Sequence, residues 1–274
     1  MIKLIAFDLD ETLFNDEHKI DQKNYEYIKK ARDLGIHMVP ASGRGPGFLG
    51  TLYEDLDINT DSDYSILANG ATVVKNKSGA PLTSNPIDKK IAKKVFDYGI
   101  SHDFNVHVYT TNGVYFYRIF EQEKRYTDRF KENRIIVDDD DFSHVEDETI
   151  LKLIICDMDL DYLKTLKEEV ENLSYGDIEV SYSSNRYMEI NRKGIDKGVG
   201  LNDLCKALNI DIKDTIAVGD NFNDLSMLKA SGISIAVNNA HPDIKKACDY
   251  VTDATNNENA IAEIVEKFIL KTEE

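Results

Sequence analysis

The sequence lacks any continuous apolar segment long enough to cross a bilayer, and nothing at its start resembles a secretion signal. The opening IKLIAFDLD has no basic region, no long apolar stretch and no small-residue cleavage site. Cysteine is scarce, since Cys156, Cys205 and Cys248 lie far apart with no CxxC spacing. This pattern favours reduced thiols in a cytoplasmic protein, and a metal site built from the cysteines is the less favoured alternative.

Basic residues are also few, because 33 Lys and Arg face 50 Asp and Glu, for a formal charge of -17. Such a charge argues against a nucleic-acid partner, since phosphate backbones are bound by basic surfaces. It permits a small anionic substrate only where positive charge is concentrated locally, on a metal ion, a lysine or helix N-termini. With 274 residues, 42% of them hydrophobic, the chain can fill one large domain or two smaller ones.

Short β-branched runs alternate with helical segments at both ends of the chain, which predicts an α/β fold with a parallel sheet. The first run, residues 2–7, is almost entirely apolar, as expected for a strand that is covered on both faces. The pattern predicts strands at 2–7, 36–41, 64–68, 215–220, 234–239 and 249–253, and helices at 21–34, 221–230, 241–247 and 257–270.

The middle of the chain has a different pattern. Asn85-Pro86 predicts a helix at 86–99, and two alternating aromatic runs at 104–110 and 113–119 predict a hairpin with one solvated face. A strand at 150–157, a helix at 160–173 and two strands within 177–191 follow, while the four aspartates at 138–141 indicate a solvated loop. We therefore expect a Rossmann-like parallel sheet core, flanked by helices and formed by 1–82 and 192–274, with an inserted α+β cap domain at 83–191.

Polar residues follow three predicted strands. The first strand ends in FDLDETL, which delivers Asp8 and Asp10 one residue apart, and the others are followed by Ser42-Gly43-Arg44 and by GDNFND at 219–224. In open parallel sheets the ligand site lies outside the carboxyl ends of the strands. Each acid alone could be an ordinary turn residue, but so many carboxylates at one edge favour a divalent cation, and all-oxygen ligands suit Mg²⁺.

A lysine stands at an unusual position. The segment GIDKGVGLNDLCKAL predicts a helix with Asp196 as its N-cap and Lys197 as its first residue. A cation there opposes the helix dipole, so a bound anion explains it better than helix stability does. A lysine that is merely exposed to solvent is the alternative.

These segments together resemble the four ordered motifs of the haloacid dehalogenase-like (HAD) phosphatases: DLDET at 8–12, SGR at 42–44, Lys197 in GIDKG, and GDNFND at 219–224. The ANGA stretch at 68–71, the cap-sized insertion and AVNNA at 236–240 are similar to the Cof-type subclass, which includes sugar-phosphate phosphatases. The resemblance covers essentially the whole chain and implies a phosphatase of small phosphorylated metabolites.

The resemblance also implies residue roles. Asp8 corresponds to the nucleophile that forms an aspartyl-phosphate, Asp10 to the general acid and base, and Lys197 to the cation that neutralises charge between Asp8 and the phosphoryl group. Further implied roles are Mg²⁺ binding by Asp8, Asp10 through its backbone carbonyl, Asp220 and Asp224; phosphate binding by Leu9, Ser42, Gly43, Lys197 and Asn223; and substrate binding by Arg44 and Asn69.

Three positions depart from the family pattern, which most often has Gly at the place of Glu11, Thr at the place of Ser42 and a Gly-containing turn at the place of 256–262. Two other functions stay open: phosphotransfer between hydroxyls, as in a phosphomutase, and a catalytically silent binding protein on the same scaffold. Neither the substrate nor the oligomeric state follows from the sequence. Packing against the cap helices and contact with a substrate are equally favoured interpretations of several cap residues, which include His107, Tyr109, Tyr115, Tyr117, Arg118 and Tyr187.

Overall fold

The computed structural model of the protein describes residues 1–128, 130 and 134–270, and the chain divides into two compact units. The core unit comprises Met1–Gly43, Thr51–Thr83 and Asp196–Glu274. The inserted unit comprises Arg44–Gly50 and Ser84–Ile195, so it consists of two separate segments of the chain. Within the described residues, none of the helices combines the length and the apolar character that crossing a membrane requires.

The core unit is built around a five-stranded parallel sheet. Its elements are β1 Leu4–Phe7, α1 Gln22–Asp33, β2 His37–Pro40, α2 Leu52–Asp55, β3 Tyr64–Leu67, β4 Thr72–Lys75 and β5 Pro81–Ser84, and, after the inserted unit, α7 Lys197–Leu208, β12 Thr215–Gly219, α8 Leu225–Ala230, β13 Ile233–Ala236, α9 Pro242–Ala247, β14 Tyr250–Val251 and α10 Ala260–Val265.

The strand order of this sheet is β14-β13-β12-β1-β2, and every neighbouring pair is parallel. The central strand β1 is buried along its whole length, and its Ile5 pairs with Met38 on one side and Ile216 on the other. Continuous apolar strands are what a sheet covered by helices on both faces requires. The predicted α/β class with a parallel sheet core flanked by helices is therefore confirmed. A small antiparallel sheet, β3-β4-β5, adjoins it.

The inserted unit has a six-stranded sheet of order β10-β11-β9-β6-β7-β8, antiparallel except for the pair β7 and β8. Its core contains Phe96 packed edge-on against Tyr117, with ring centres 4.7 Å apart. The elements are α3 Lys89–Ser101, β6 Asn105–Thr110, β7 Val114–Tyr117, α4 Glu121–Tyr126, β8 Arg134–Val137, β9 Ile150–Cys156, α5 Leu160–Thr165, α6 Lys167–Asn172, β10 Ile178–Ser183 and β11 Tyr187–Arg192.

Several predicted boundaries are wrong. Helix α3 begins at Lys89 because the Asp88 side chain, and not Asn85, accepts the first backbone N–H groups. The helix predicted at 160–173 is two short helices that meet at Leu166. The helix predicted at 257–270 is interrupted near its start, because Asn259 adopts a left-handed backbone with φ of 71° after the short turn Asn256–Glu258. From there α10 and the π-helical turn Glu266–Leu270 reach the predicted end. Strands β4, β5 and β8 were not predicted.

The predicted solvated face of the hairpin formed by β6 and β7 is also wrong, because β6 is buried along its whole length. Part of the second face is covered by Arg44–Gly50, where Gly45 lies against Tyr109 so closely that a Cβ would approach its ring to 2.7 Å. Phe48 of the same segment stacks on Phe116 with ring centres 5.9 Å apart. The covering segment is remote in sequence from the hairpin and leaves no local signal there.

We expect Gly70→Ala to destabilise the core unit far more than Gly79→Ala. Both glycines have positive φ, of 90° and 67°, but only at Gly70 would a Cβ lie 1.9 Å from the backbone oxygen of Asp196. Gly79→Ala should lower the free energy of unfolding by about 1–2 kcal/mol, the cost of a left-handed residue. Gly70→Ala should lower it by more than about 3 kcal/mol, since backbone has to move. Urea unfolding followed by circular dichroism measures both, and equal losses would contradict the close packing at Gly70.

Candidate active site

The carboxyl ends of two adjacent strands bring three acids together. Asp8 directly follows β1, Asp220 directly follows β12, and Asp224 ends the short turn Phe222–Asp224. Their side chains are buried, and one carboxylate oxygen from each of the three lies within 4.8 Å of the other two. The fold thus brings these acids together at one edge of the sheet, as the sequence predicts. Asp8 and Asp220 are more than 200 positions apart in the chain.

Lys197 enters this acidic group from the N-terminus of α7. Its Nζ donates hydrogen bonds to Oδ1 of Asp8 at 2.5 Å and to Oδ1 of Asp224 at 2.6 Å, and its side chain is wholly buried. Asp196 caps the helix by accepting the backbone N–H of Val199, as predicted. Burial opposes the charge of the ammonium, but the carboxylates of Asp224 and Asp8 outweigh it and raise the pKa of Lys197.

Asp224 uses both of its oxygens within the protein. Oδ1 accepts from Lys197, while Oδ2 accepts the backbone N–H groups of Asp220 at 3.1 Å and Asn221 at 3.2 Å. Gly219 permits this close packing, because a Cβ there would approach the Asp224 carboxyl to 2.6 Å. We therefore expect Asp224 to hold Lys197 and the Asp220 turn in place, in keeping with a supporting role at the predicted metal site.

The electrostatics of the group call for additional positive charge. Burial, and next the charge of Asp224, raise the pKa of Asp8 well above its usual range. Burial and Asp224 likewise raise the pKa of Asp220 to about 7. A hydrogen bond from the Thr12 hydroxyl to Oδ1 of Asp220, at 3.1 Å, lowers this pKa but does not outweigh them. One ammonium faces three carboxylates, and oxygen donors of this kind are the ligands that Mg²⁺ binds. The residues present therefore fit the predicted cation.

Asp10 is not equivalent to Asp8. Its side chain is 45% exposed, outside the buried group, and its Oδ1 lies 3.8 Å from Nδ1 of His18. The chain turns away from the sheet after Asp8. Glu11, three residues later, has a left-handed backbone with φ of 61°. This conformation is one that glycine adopts at no cost, which accounts for the glycine that the family most often has there. The charge of Glu11 also contributes to the raised pKa of Asp220.

The other predicted phosphate-binding residues lie in different settings. Ser42 is buried, and its carbonyl accepts the backbone N–H of Asn69 at 3.1 Å. Gly43 lies so close to Asn69 that a Cβ there would approach the amide oxygen to 2.9 Å. Leu9 is buried within the turn that follows β1, and Asn223 is exposed in the turn Phe222–Asp224.

Arg44, predicted to bind substrate, belongs to the inserted unit, where its guanidinium lies 5.2 Å from the centre of the Phe130 ring. Two of the predicted cap candidates have structural surroundings instead. Tyr117 is packed in the core of the inserted unit, and Arg118 pairs with Asp103 and Asp140, each at 2.5 Å. Asp140 belongs to the run at 138–141, whose four aspartates are all exposed, so the predicted solvated loop is confirmed.

A second buried polar group lies in the inserted unit. Glu123 of α4 accepts the Tyr187 hydroxyl at 2.5 Å, and its other oxygen lies 3.7 Å from Sγ of Cys156. Nε2 of His107 is 2.7 Å from the amide oxygen of Asn105, and burial lowers the pKa of His107 to about 3. Burial raises the pKa of Glu123, whose Oε2 also lies 3.7 Å from the Arg186 guanidinium, so the buried polar atoms of this group have hydrogen-bond and ionic partners. Cys156 belongs to the inserted unit, Cys205 and Cys248 belong to the core unit, and all three are free thiols.

The parallel sheet and the group of acids and lysine at its edge define a hydrolase of the haloacid dehalogenase type, and the family model for haloacid dehalogenase-like hydrolase matches residues 5–265. The chain belongs to this family, and the predicted resemblance and enzyme class are confirmed. The alternative of a catalytically silent binding protein is thereby set aside.

The chain is similar to proteins that are named as phosphatases. The chain is 30% identical to the phosphatase YwpJ of Bacillus subtilis, over 98% of this chain and all of the relative. It is 31% identical to the 5-amino-6-(5-phospho-D-ribitylamino)uracil phosphatase YwtE of the same organism, over 98% of each chain. A solved haloacid dehalogenase-like hydrolase from Bacteroides thetaiotaomicron superimposes with a TM-score of 0.87 at 27% identity, covering 98% of this chain and 100% of that one.

The raised pKa of Asp220 predicts a pH dependence of stability for the metal-free protein. Between the ordinary pKa of 3.8 and about 7, the folded state keeps a proton that the unfolded state loses, so the side chain's contribution to stability falls as pH rises. The unfolding free energy of wild type minus that of Asp220→Asn should therefore decrease from about pH 4 to about pH 7, by at most about 1.4 kcal/mol per pH unit.

Urea unfolding at several pH values in EDTA measures this difference, and Mg²⁺ should restore most stability at the upper end of the range. Asp249→Asn is the control, because backbone and side-chain hydrogen bonds from Ser234 lower the pKa of Asp249. Its difference from wild type should be flat between about pH 5 and 7. A difference for Asp220→Asn that is flat or rises with pH would contradict the raised pKa.

Proposed function

We propose that the protein is a Mg²⁺-dependent phosphomonoester hydrolase that acts on a small phosphorylated metabolite, such as a sugar phosphate, through an aspartyl-phosphate intermediate. The observation that carries the proposal is the buried group of Asp8, Asp220 and Asp224 with Lys197 in its midst. Phosphoryl transfer depends on positioning and on neutralising charge, and this group supplies a carboxylate nucleophile beside fixed positive charge.

In the first half of the reaction, Asp8 attacks phosphorus. Lys197 holds Oδ1 of Asp8, which leaves Oδ2 as the attacking atom. The new bond joins Oδ2 to phosphorus, the bond from phosphorus to the leaving oxygen breaks, and Asp10 gives its proton to that oxygen. The exposed position of Asp10 suits a group that exchanges protons with substrate and water, whereas the buried position of Asp8 protects the acyl phosphate.

In the second half, water attacks the phosphorus of the aspartyl-phosphate. Asp10, now a carboxylate, takes a proton from that water, the bond between Asp8 and phosphorus breaks, and inorganic phosphate leaves. The ammonium of Lys197 opposes the charge that develops in both halves, and Asp224 keeps it in place. Backbone N–H groups near Leu9 and Gly43, the Ser42 hydroxyl and Asn223 are proposed to bind phosphoryl oxygens, as the family resemblance implies.

Asp8, the Asp10 backbone carbonyl and Asp220 would hold Mg²⁺, with Asp224 in support. When bound, the ion neutralises phosphate oxygens and allows a dianion to approach the carboxylates. Thr12 orients the Asp220 carboxyl through the hydrogen bond from its buried hydroxyl. The sequence motif DLDET contains Thr12 but does not by itself indicate this role.

The name of one relative supports a class of substrate. The relative YwtE acts, by its name, on a compound with a phosphorylated ribityl chain, which supports a polyol or sugar phosphate as substrate here. The inserted unit is proposed to act as the cap that selects among leaving groups, with Arg44 and Asn69 as further substrate-binding residues. A cytoplasmic location remains a prediction, and phosphate transfer to a second hydroxyl is the competing reaction.

We expect wild type to release p-nitrophenol from p-nitrophenyl phosphate with Mg²⁺ and to lose that activity in EDTA. Asp8→Asn should lower kcat at least about 1000-fold, because the nucleophile is lost while the size of the side chain is kept. Asp243→Asn, which removes an exposed acid paired with Lys246, should leave activity unchanged. Metal-independent activity, or full activity of Asp8→Asn, would contradict the proposal.

Two further measurements extend this test. After an acid quench, wild type should carry a hydroxylamine-labile phosphate that Asp8→Asn lacks, as an acyl phosphate requires. A panel of phosphorylated metabolites, scored by kcat/KM with inorganic phosphate as the product, identifies the substrate. Formation of a second phosphate ester without free phosphate would instead assign the phosphotransfer reaction.

A further inference from the structure

The segment that carries Asp10 is held by two asparagines from the C-terminal part of the core unit. Nδ2 of Asn239 donates to the carbonyl of Glu11 at 2.7 Å. The backbone N–H of Asn256 donates to Oδ1 of Asn239 at 2.9 Å, which fixes the orientation of the Asn239 amide. The buried side chain of Asn256 in turn donates to the carbonyl of Phe14 at 3.1 Å. The turn after β1 is thus bound at two of its backbone carbonyls.

The backbone conformation of Glu11 makes the hydrogen bond from Asn239 important. Its φ of 61° and ψ of 8° place it in the left-handed region, which a residue with a Cβ avoids by roughly a factor of five or more. Its side chain is exposed, and the contact from Asn239 is made to its backbone carbonyl. A hydrogen bond to that carbonyl favours the one backbone orientation in which the contact forms. Glycine would need no such support.

We propose that Asn239 is a positioning residue for Asp10, compensating by its hydrogen bond for the presence of Glu11 at a left-handed position. The inference rests on the proposed function, in which Asp10 transfers the proton. The Glu11 backbone directly follows Asp10 and directly precedes Thr12, whose hydroxyl holds Asp220. A rotation at Glu11 would therefore displace the proton donor.

The expected defect is in turnover rather than in substrate affinity. A misplaced proton donor slows the chemical step, and misplacements of about 1 Å cost up to about 100-fold in rate. The buried pair of Asp8 and Lys197 is held by separate contacts, so binding of the phosphoryl group should change little. A loss confined to kcat distinguishes this positioning role from general loosening of the unit.

The experiment places Asn239→Ala in three backgrounds: wild type, Glu11→Gly and Glu11→Ala. In wild type, Asn239→Ala should lower kcat for p-nitrophenyl phosphate about 10- to 100-fold, with KM changed less than about threefold. Glu11→Gly removes the left-handed penalty and should shrink that loss at least about fivefold. Glu11→Ala removes the charge and the rest of the side chain beyond Cβ but keeps the left-handed penalty, so it should leave the loss at its full size.

Asn238→Ala is the matched control, since the neighbouring Asn238 donates to the carbonyl of Asp253, away from the Asp10 segment, and should keep wild-type kcat. The inference is overturned by wild-type kcat in Asn239→Ala, by an equal loss in Asn238→Ala, or by an equal loss in all three backgrounds.

A second readout is independent of activity. Urea unfolding gives the factor by which Asn239→Ala reduces the folding equilibrium constant. This factor should be at least about fivefold smaller in the Glu11→Gly background than in wild type. If the wild type releases no phosphate, the proposed function fails, and this coupling still decides whether Asn239 supports Glu11. Additive effects of the two substitutions on unfolding would overturn that support.

Discussion

The buried ammonium of Lys197 is the contact on which the rest of the active site depends. Taking one charge out of water costs several kcal/mol unless partners with good geometry surround it, and Lys197 meets two carboxylates at 2.5 and 2.6 Å. One partner, Asp8, is 189 residues away in the chain, and the other, Asp224, is 27 residues away. The same contact therefore joins the first strand, the start of α7 and the turn after β12. Folding of the core and assembly of the site are one process.

Much of the core unit could be predicted because its signals are local. A strand buried on both faces is apolar throughout, and the residues at its end show where a parallel sheet can bind a ligand. The inserted unit was harder, since its hairpin is buried by residues remote in sequence, such as Phe48. At α3 the sequence offered two capping residues, and only the tertiary position of the chain selects Asp88 over Asn85.

The family resemblance implied different roles for the acids, and the structure adds the contacts that make two of them physically different. Asp220 and Asp224 both follow the same strand and look alike in sequence. Hydrogen bonds distinguish them, because Asp224 has both oxygens engaged while Asp220 faces Thr12. The left-handed backbone of Glu11 was not predicted, because the side chain of an exposed acid gives no indication of it. Its compensation comes from Asn239, more than 200 residues away.

The two-part composition of the inserted unit has a consequence for how this protein can diversify. Arg44–Gly50 contributes Phe48 and Gly45 to a unit whose main segment starts at Ser84. A genetic exchange confined to 84–195 would bring in a new hairpin face without the short segment that fits against it. The segment that would have to be exchanged together with 84–195 is thus separate from it in the sequence.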